Sequence, residues 1–96
     1  MKCSIWKFPL EVVDHQTVQV PSGSLVLSVA EQDNGIVLYT MVDTEIAGKE
    51  LLTVYIYGTG HPIDTEDADR WSPRNRFLGT VKLHDGALMF HVFVEN

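Results

Sequence analysis

Cysteine is almost absent from this chain: Cys3 is the single one in 96 residues. No intramolecular disulfide can form, which suits a reducing compartment. Positive charge is also scarce, with seven lysines and arginines against thirteen carboxylates and a net charge of −6. Affinity for duplex nucleic acid comes from cations set against phosphates, so no duplex partner is expected. Long apolar runs are missing as well. No stretch approaches the roughly 18 apolar residues of a membrane span, and near the N-terminus charge returns at Lys7 and Glu11 before any signal-peptide core builds up. These absences predict a soluble, cytoplasmic protein with no membrane partner. A helical apolar period is lacking too, and at most one helical turn is expected, in 65–71.

What the chain does have is a core-forming composition, 45% hydrophobic and 21% charged. That is enough for one folded domain over 1–96, with a stability of about 5–10 kcal/mol. The apolar residues fall into short alternating runs, which read as strands. Trp6 and Phe8 share a face of an extended segment at 4–9, ended or pushed to a sheet edge by Pro9. Thr17 to Val20 alternates and stops at the turn residues Pro21-Ser22-Gly23. Ser24–Gln32 and Ile36–Val42 flank Asp33-Asn34-Gly35, where Asn-Gly supplies two residues tolerant of positive φ for a tight hairpin.

In that hairpin Leu25, Leu27 and Val29 are expected on one face and Val26, Ser28 and Ala30 on the other. Neither face is polar, which places the hairpin inside a sandwich or at an oligomer interface, and a homo-oligomer is expected. Leu51–Tyr57 sets Leu52, Val54 and Ile56 against Thr53, Tyr55 and Tyr57. Phe77–Leu83 groups Phe77, Gly79, Val81 and Leu83, and Asp85-Gly86 turns it into Leu88–Glu95. The fold class is therefore all-β: a single-domain antiparallel sandwich or partly open barrel of about seven short strands.

Between the fifth and sixth strands lies a long polar loop, 58–76, reading GTGHPIDTEDADRWSPRNR. Gly58, Thr59 and Gly60 can bring backbone N–H groups up to an anion, because glycine removes side-chain obstruction. A bulge or plain turn at a strand end uses the same residues. His61, made extended by Pro62, can donate to a phosphate or simply cap the turn. Arg70, Arg74 and Arg76 are all the arginines of the chain, and arginine forks hold phosphate in two places at once. Trp71 among them suits stacking on a base, or folds back to plug the end of the barrel while the arginines neutralise the acidic run. The ligand-binding candidates are thus Gly58, Thr59, Gly60, His61, Arg70, Trp71, Arg74 and Arg76.

Catalysis and metal chemistry find less support. None of the five serines stands in a G-x-S-x-G setting, and no H-E-x-x-H spacing exists. Asp64, Glu66, Asp67 and Asp69 lack the glycine and distal glutamate of a calcium loop, so solvated charge or pairing with the arginines accounts for them. No catalytic residue, metal or cofactor is assigned, and a non-enzyme is expected.

The opening IWKFPLEVVDHQTVQVPSGSLVLSV, the IYGTGHPI of residues 56–63 and the closing FLGTVKLHDGALMFHVF of residues 77–93 resemble a family of small uncharacterised phage and prophage proteins of roughly this length. The resemblance implies a phage protein working in the host cytoplasm, and it brings no activity with it. By analogy with phage proteins that soak up host immune signals, the expected function is a non-enzymatic sponge. Its small nucleotide-type ligand would be a cyclic ADP-ribose-like molecule or a cyclic dinucleotide. The alternatives are a protein-binding inhibitor of a host factor, a virion accessory protein, or a hydrolase of the same signal working through His61.

Overall fold

A computed structural model describes residues 1–63 and 75–95. Seven strands run through them: β1 (Cys3–Leu10), β2 (His15–Pro21), β3 (Leu25–Gln32), β4 (Gly35–Asp43), β5 (Lys49–Gly58), β6 (Asn75–Leu83) and β7 (Leu88–Glu95). All pairings are antiparallel and give two sheets, ordered β1-β4-β3 (sheet A) and β2-β5-β7-β6 (sheet B). The two sheets share one apolar core and do not close into a barrel, so the fold is a sandwich. The helical turn expected in 65–71 lies outside the described residues. A 3₁₀ turn occupies His84–Gly86, at the expected turn residues Asp85 and Gly86.

Side-chain alternation decides what is buried. In β5, Leu52, Val54 and Ile56 point into the core, and Val92 and Val94 of β7 lie directly beside Ile56 and Val54. In β4, Ile36 and Leu38 do the same from the other sheet. β4 is apolar on its outer side as well, with Val37, Tyr39 and Met41. Pro9 is tolerated because β1 is an edge strand. Thr40, inward-facing between Trp6 and Val26, is wholly buried, and its hydroxyl has no hydrogen-bond partner among the described residues. Thr40→Val removes a desolvated hydroxyl while keeping the shape, so urea unfolding should show a gain of about 1 kcal/mol.

The β3–β4 hairpin forms as expected, with its turn one residue earlier. Gln32 pairs with Gly35, and the two loop residues are Asp33 (φ 52) and Asn34 (φ 61), both in the left-handed region of a type I′ turn. Asp and Asn enter that region at low cost, which frees Gly35 to start β4. The early turn also gives Asn34 a task across the sandwich. Its Oδ1 accepts from the His84 backbone N–H at 2.8 Å, and its Nδ2 lies 2.9 Å from His84 Nδ1. A backbone N–H can only donate, so the amide orientation is settled: Nδ2 donates to Nδ1, and the ring proton sits on Nε2. The clasp joins the turn of one sheet to the turn of the other.

Two bulges overturn two of the expected face groupings. In β3 the register slips between Val26 and Ser28, so Leu27 is extra. Val26 and Val29 consequently both face the core, while Leu25, Ser28 and Ala30 face out. In β6 the slip falls between Phe77 and Gly79, which leaves Phe77 on the outer face with Thr80 and Lys82 while Gly79, Val81 and Leu83 stay inside. The bulged strands are the edges where the two sheets meet. A Cβ on Gly79 would come within 3.2 Å of Val29 Cγ1, so the glycine lets the edges approach. Arg76, inward-facing opposite Val94, donates from Nη2 to the carbonyl of Val26, beside the β3 bulge.

Candidate functional site

The outer face of sheet B carries four parallel rows, each running across its strands. Nearest the end of β5 stand Thr59, Met89 and Lys82; the next row is Tyr57, His91 and Thr80. The third is His15, Tyr55, Phe93 and Phe77, and the fourth is Thr17, Thr53, Glu95 and Asn75. Successive rows lie about 7 Å apart. In a chain of net charge −6, the first three rows hold no carboxylate, and Lys82, His91 and His15 are their ionisable groups besides the tyrosines.

The third row is aromatic throughout. His15 stacks on Tyr55 with ring centroids 5.3 Å apart, and Phe77 and Phe93 meet at 5.3 Å with their planes inclined by 54°. Tyr57 lies 6.1 Å from Phe93 and is only 5% exposed. Phe77 is 55% exposed, so it has a ring face open to solvent. Aromatic cross-strand neighbours of this kind stiffen a sheet and also form a platform on which a planar ring can stack.

His91 is the polar centre of the face. Its Nε2 lies 2.7 Å from Thr59 Oγ1 and its Nδ1 lies 3.0 Å from Thr80 Oγ1. A neutral imidazole has one donor and one acceptor, so one threonine hydroxyl accepts from the ring and the other donates to it. The ring is thereby held upright between two hydroxyls, each of which keeps hydrogen-bonding capacity for a ligand. The Thr59 backbone N–H donates to the Met89 carbonyl, which extends the sheet by one residue and starts the following turn at the end of the first row.

That turn holds the sequence-predicted residues, and it divides them. His61 N–H donates to the Gly58 carbonyl at 3.1 Å, and Gly60 takes φ 80, open only to a residue without a Cβ at little cost. Thr59 reaches the outer face through His91. Gly58 and His61 border a cavity of about 140 Å³ on the opposite side of the sheet, lined also by Val12, Val13, Asp14 and Phe90. A drug-sized ligand needs about 300 Å³ or more, so this cavity admits a single small group. Arg76 belongs to neither place. It pairs opposite Val94 whereas Gly58 pairs opposite Phe90, about 13 Å along β7, and its side chain is spent on the inter-sheet edge. Arg70, Trp71 and Arg74 lie outside the described residues.

Sequence reasoning missed His91, Thr80, Lys82, His15 and Phe77 as neighbours. Alternation in β7 groups His91 with Met89 and Phe93, but the bulge in β6 hides that Phe77 joins them. Among the described residues no group of three or more His, Cys, Asp or Glu converges as a metal site would require. None of their helices is long and apolar enough to cross a membrane.

Comparison with known families gives a match over the whole chain, residues 1–96, to the one described as a domain of unknown function, DUF7352. The chain belongs to that family. No curated protein and no solved structure matches this DUF7352 chain, so its chemistry has to be read from its own surface.

Proposed function

We propose that the protein is a non-enzymatic binding protein that holds a nucleotide-type ligand on the outer face of sheet B. The observation that carries this reading is the Thr59–His91–Thr80 clamp, which ties the Gly58–His61 turn to a face whose first three rows contribute no carboxylate of their own; it bears the exposed ring of Phe77 and the cation of Lys82, and Glu95 at its far side accepts from the Tyr55 hydroxyl. Phe77 stacks on a base. Lys82 meets a phosphate as a point charge, and the two threonines with His91 hydrogen-bond the sugar or phosphate between them. Phe77 and Lys82 are two rows apart, about 14 Å, a span that suits a ligand with more than one ring or phosphate. In this reading the protein is a phage product that captures a cyclic ADP-ribose-like or cyclic dinucleotide immune signal in the host cytoplasm.

Titration calorimetry of the intact protein against such a panel is the test. Binding at micromolar or tighter is expected, and Phe77→Ala should weaken it by about ten- to a hundredfold, the worth of one base stack. Phe77 is half exposed and packs on the ring of Phe93, so that change should cost about 1 kcal/mol of stability and leave the protein folded. Absence of any binding tighter than about 1 mM would sink the reading. Salt-sensitive capture of one host protein in its place would favour an inhibitor.

A further inference from the structure

The other sheet also presents an unusual surface. On the outer face of sheet A, Ile5, Met41 and Leu25 stand directly opposite one another across β1, β4 and β3, exposed by 57%, 37% and 53%. The row beside them is Lys7, Tyr39 and Ser28, and the next is Pro9, Val37 and Ala30. Lys7 is the sole ion in these three rows of an otherwise acidic protein; Asp43 stands one row further, at the end of β4. Three exposed large apolar side chains in one straight row are a surface that water does not favour.

We infer that this face is a self-association surface whose occupant is a second copy of the chain. Two features of the face select a copy of itself. First, it is self-complementary in shape. At the β1 end of the apolar row there is a shallow hollow of about 390 Å³ lined by Cys3, Ser4, Ile5 and Met41, and at the β3 end Leu25 projects. A two-fold axis running along β4 between two facing copies sets each Leu25 over the partner's Ile5 and its hollow, with Met41 against Met41. This is the isologous pattern of a symmetric dimer. Second, the charges are compatible. The same axis lays Lys7 over Ser28 and Tyr39 over Tyr39, so no like charges meet in the three rows. One row further, at the solvent-exposed end of β4, the axis brings the two Asp43 residues together, so the dimer should tighten as salt screens them.

Size limits the affinity. Three strands about 4.8 Å apart and eight residues rising about 3.3 Å each make a face of roughly 14 by 26 Å, so the two copies together bury on the order of 700–800 Å². That is at the low end for a specific interface, and the dimer should therefore form in the micromolar range.

Sedimentation velocity on the intact protein from about 1 to about 300 μM tests the inference. A concentration-dependent shift from monomer to dimer is expected, and Leu25→Lys should raise the dissociation constant by at least about tenfold, since it puts a cation into the partner's hollow. Ile5→Lys should act alike from the other end of the row, and it stands in for Leu25→Lys if circular dichroism shows that variant unfolded. Phe77→Ala, on the opposite sheet, should leave the dimer unchanged. A wild-type protein that stays monomeric throughout, or a dimer indifferent to both lysine substitutions, would overturn the assignment. The outcome is independent of nucleotide binding, which uses the other face and is read by calorimetry.

Discussion

Leu38→Ala should cost about 3–4 kcal/mol, a large part of the roughly 5–10 kcal/mol available to a domain of this size. Leu38 has no exposed surface, sits on the central strand of sheet A between Phe8 and Val29, and projects into the core shared with sheet B. Truncating its isobutyl group to a methyl loses the transfer free energy of three carbons. It also leaves a cavity that neighbours on two stiff sheets cannot collapse into, which adds to the cost. In urea the midpoint should fall with little change in slope, and the melting temperature should drop by roughly 15–25 °C. Leu27→Ala makes the internal comparison: Leu27 is the extra, exposed residue of the β3 bulge, so its truncation should cost less than about 1 kcal/mol. Equal losses at the two positions would contradict the face assignment on both strands.

Arg76→Met should cost about 2 kcal/mol, within the usual 1–3 kcal/mol for a buried acceptor that loses its donor. Methionine keeps much of the apolar stem but leaves the Val26 carbonyl without the guanidinium that reaches it from the other sheet. The position of that carbonyl explains the arginine. A bulge disrupts the ladder locally and bends its strand, and this one lies where the edges of the two sheets meet, so a long donor from β6 can supply what the neighbouring strand does not. Arg76→Lys should recover part of the loss, since a point charge on a shorter stem cannot reproduce the fork. The discriminating readout is ligand affinity. If Arg76 works at the inter-sheet edge, calorimetry on Arg76→Met should change by less than about twofold while stability falls; a tenfold loss would return it to the ligand site.

These two residues show where the chain was legible. Alternation groups Leu38 with Ile36 and Thr40, because successive side chains of a strand must point to opposite faces, but both groups can be buried and the packing of the sheets selects this one. The same rule separates Leu52, Val54 and Ile56 of β5 from Thr53, Tyr55 and Tyr57, as found. Arg76 was grouped with Arg70 and Arg74 by nearness in sequence, yet β6 already contains it, and its contact is with a residue fifty positions away. Thr59 stands out in the sequence as part of a glycine turn, but its partner His91 lies thirty-two residues on, where no local motif marks it.

Period-two patterning and turn residues set the strands, the β3–β4 hairpin and the side-chain groupings of β5 and β7, whereas on the doubly apolar β4 only the packing of the two sheets chose the inward face. Tertiary structure alone decided the two bulges, and with them the outward turn of Phe77, the inward turn of Arg76 and the straight row of Ile5, Met41 and Leu25. The physical reason is that patterning acts over neighbouring residues, whereas a bulge answers the meeting of two sheet edges. One extra residue there reverses the face of everything beyond it.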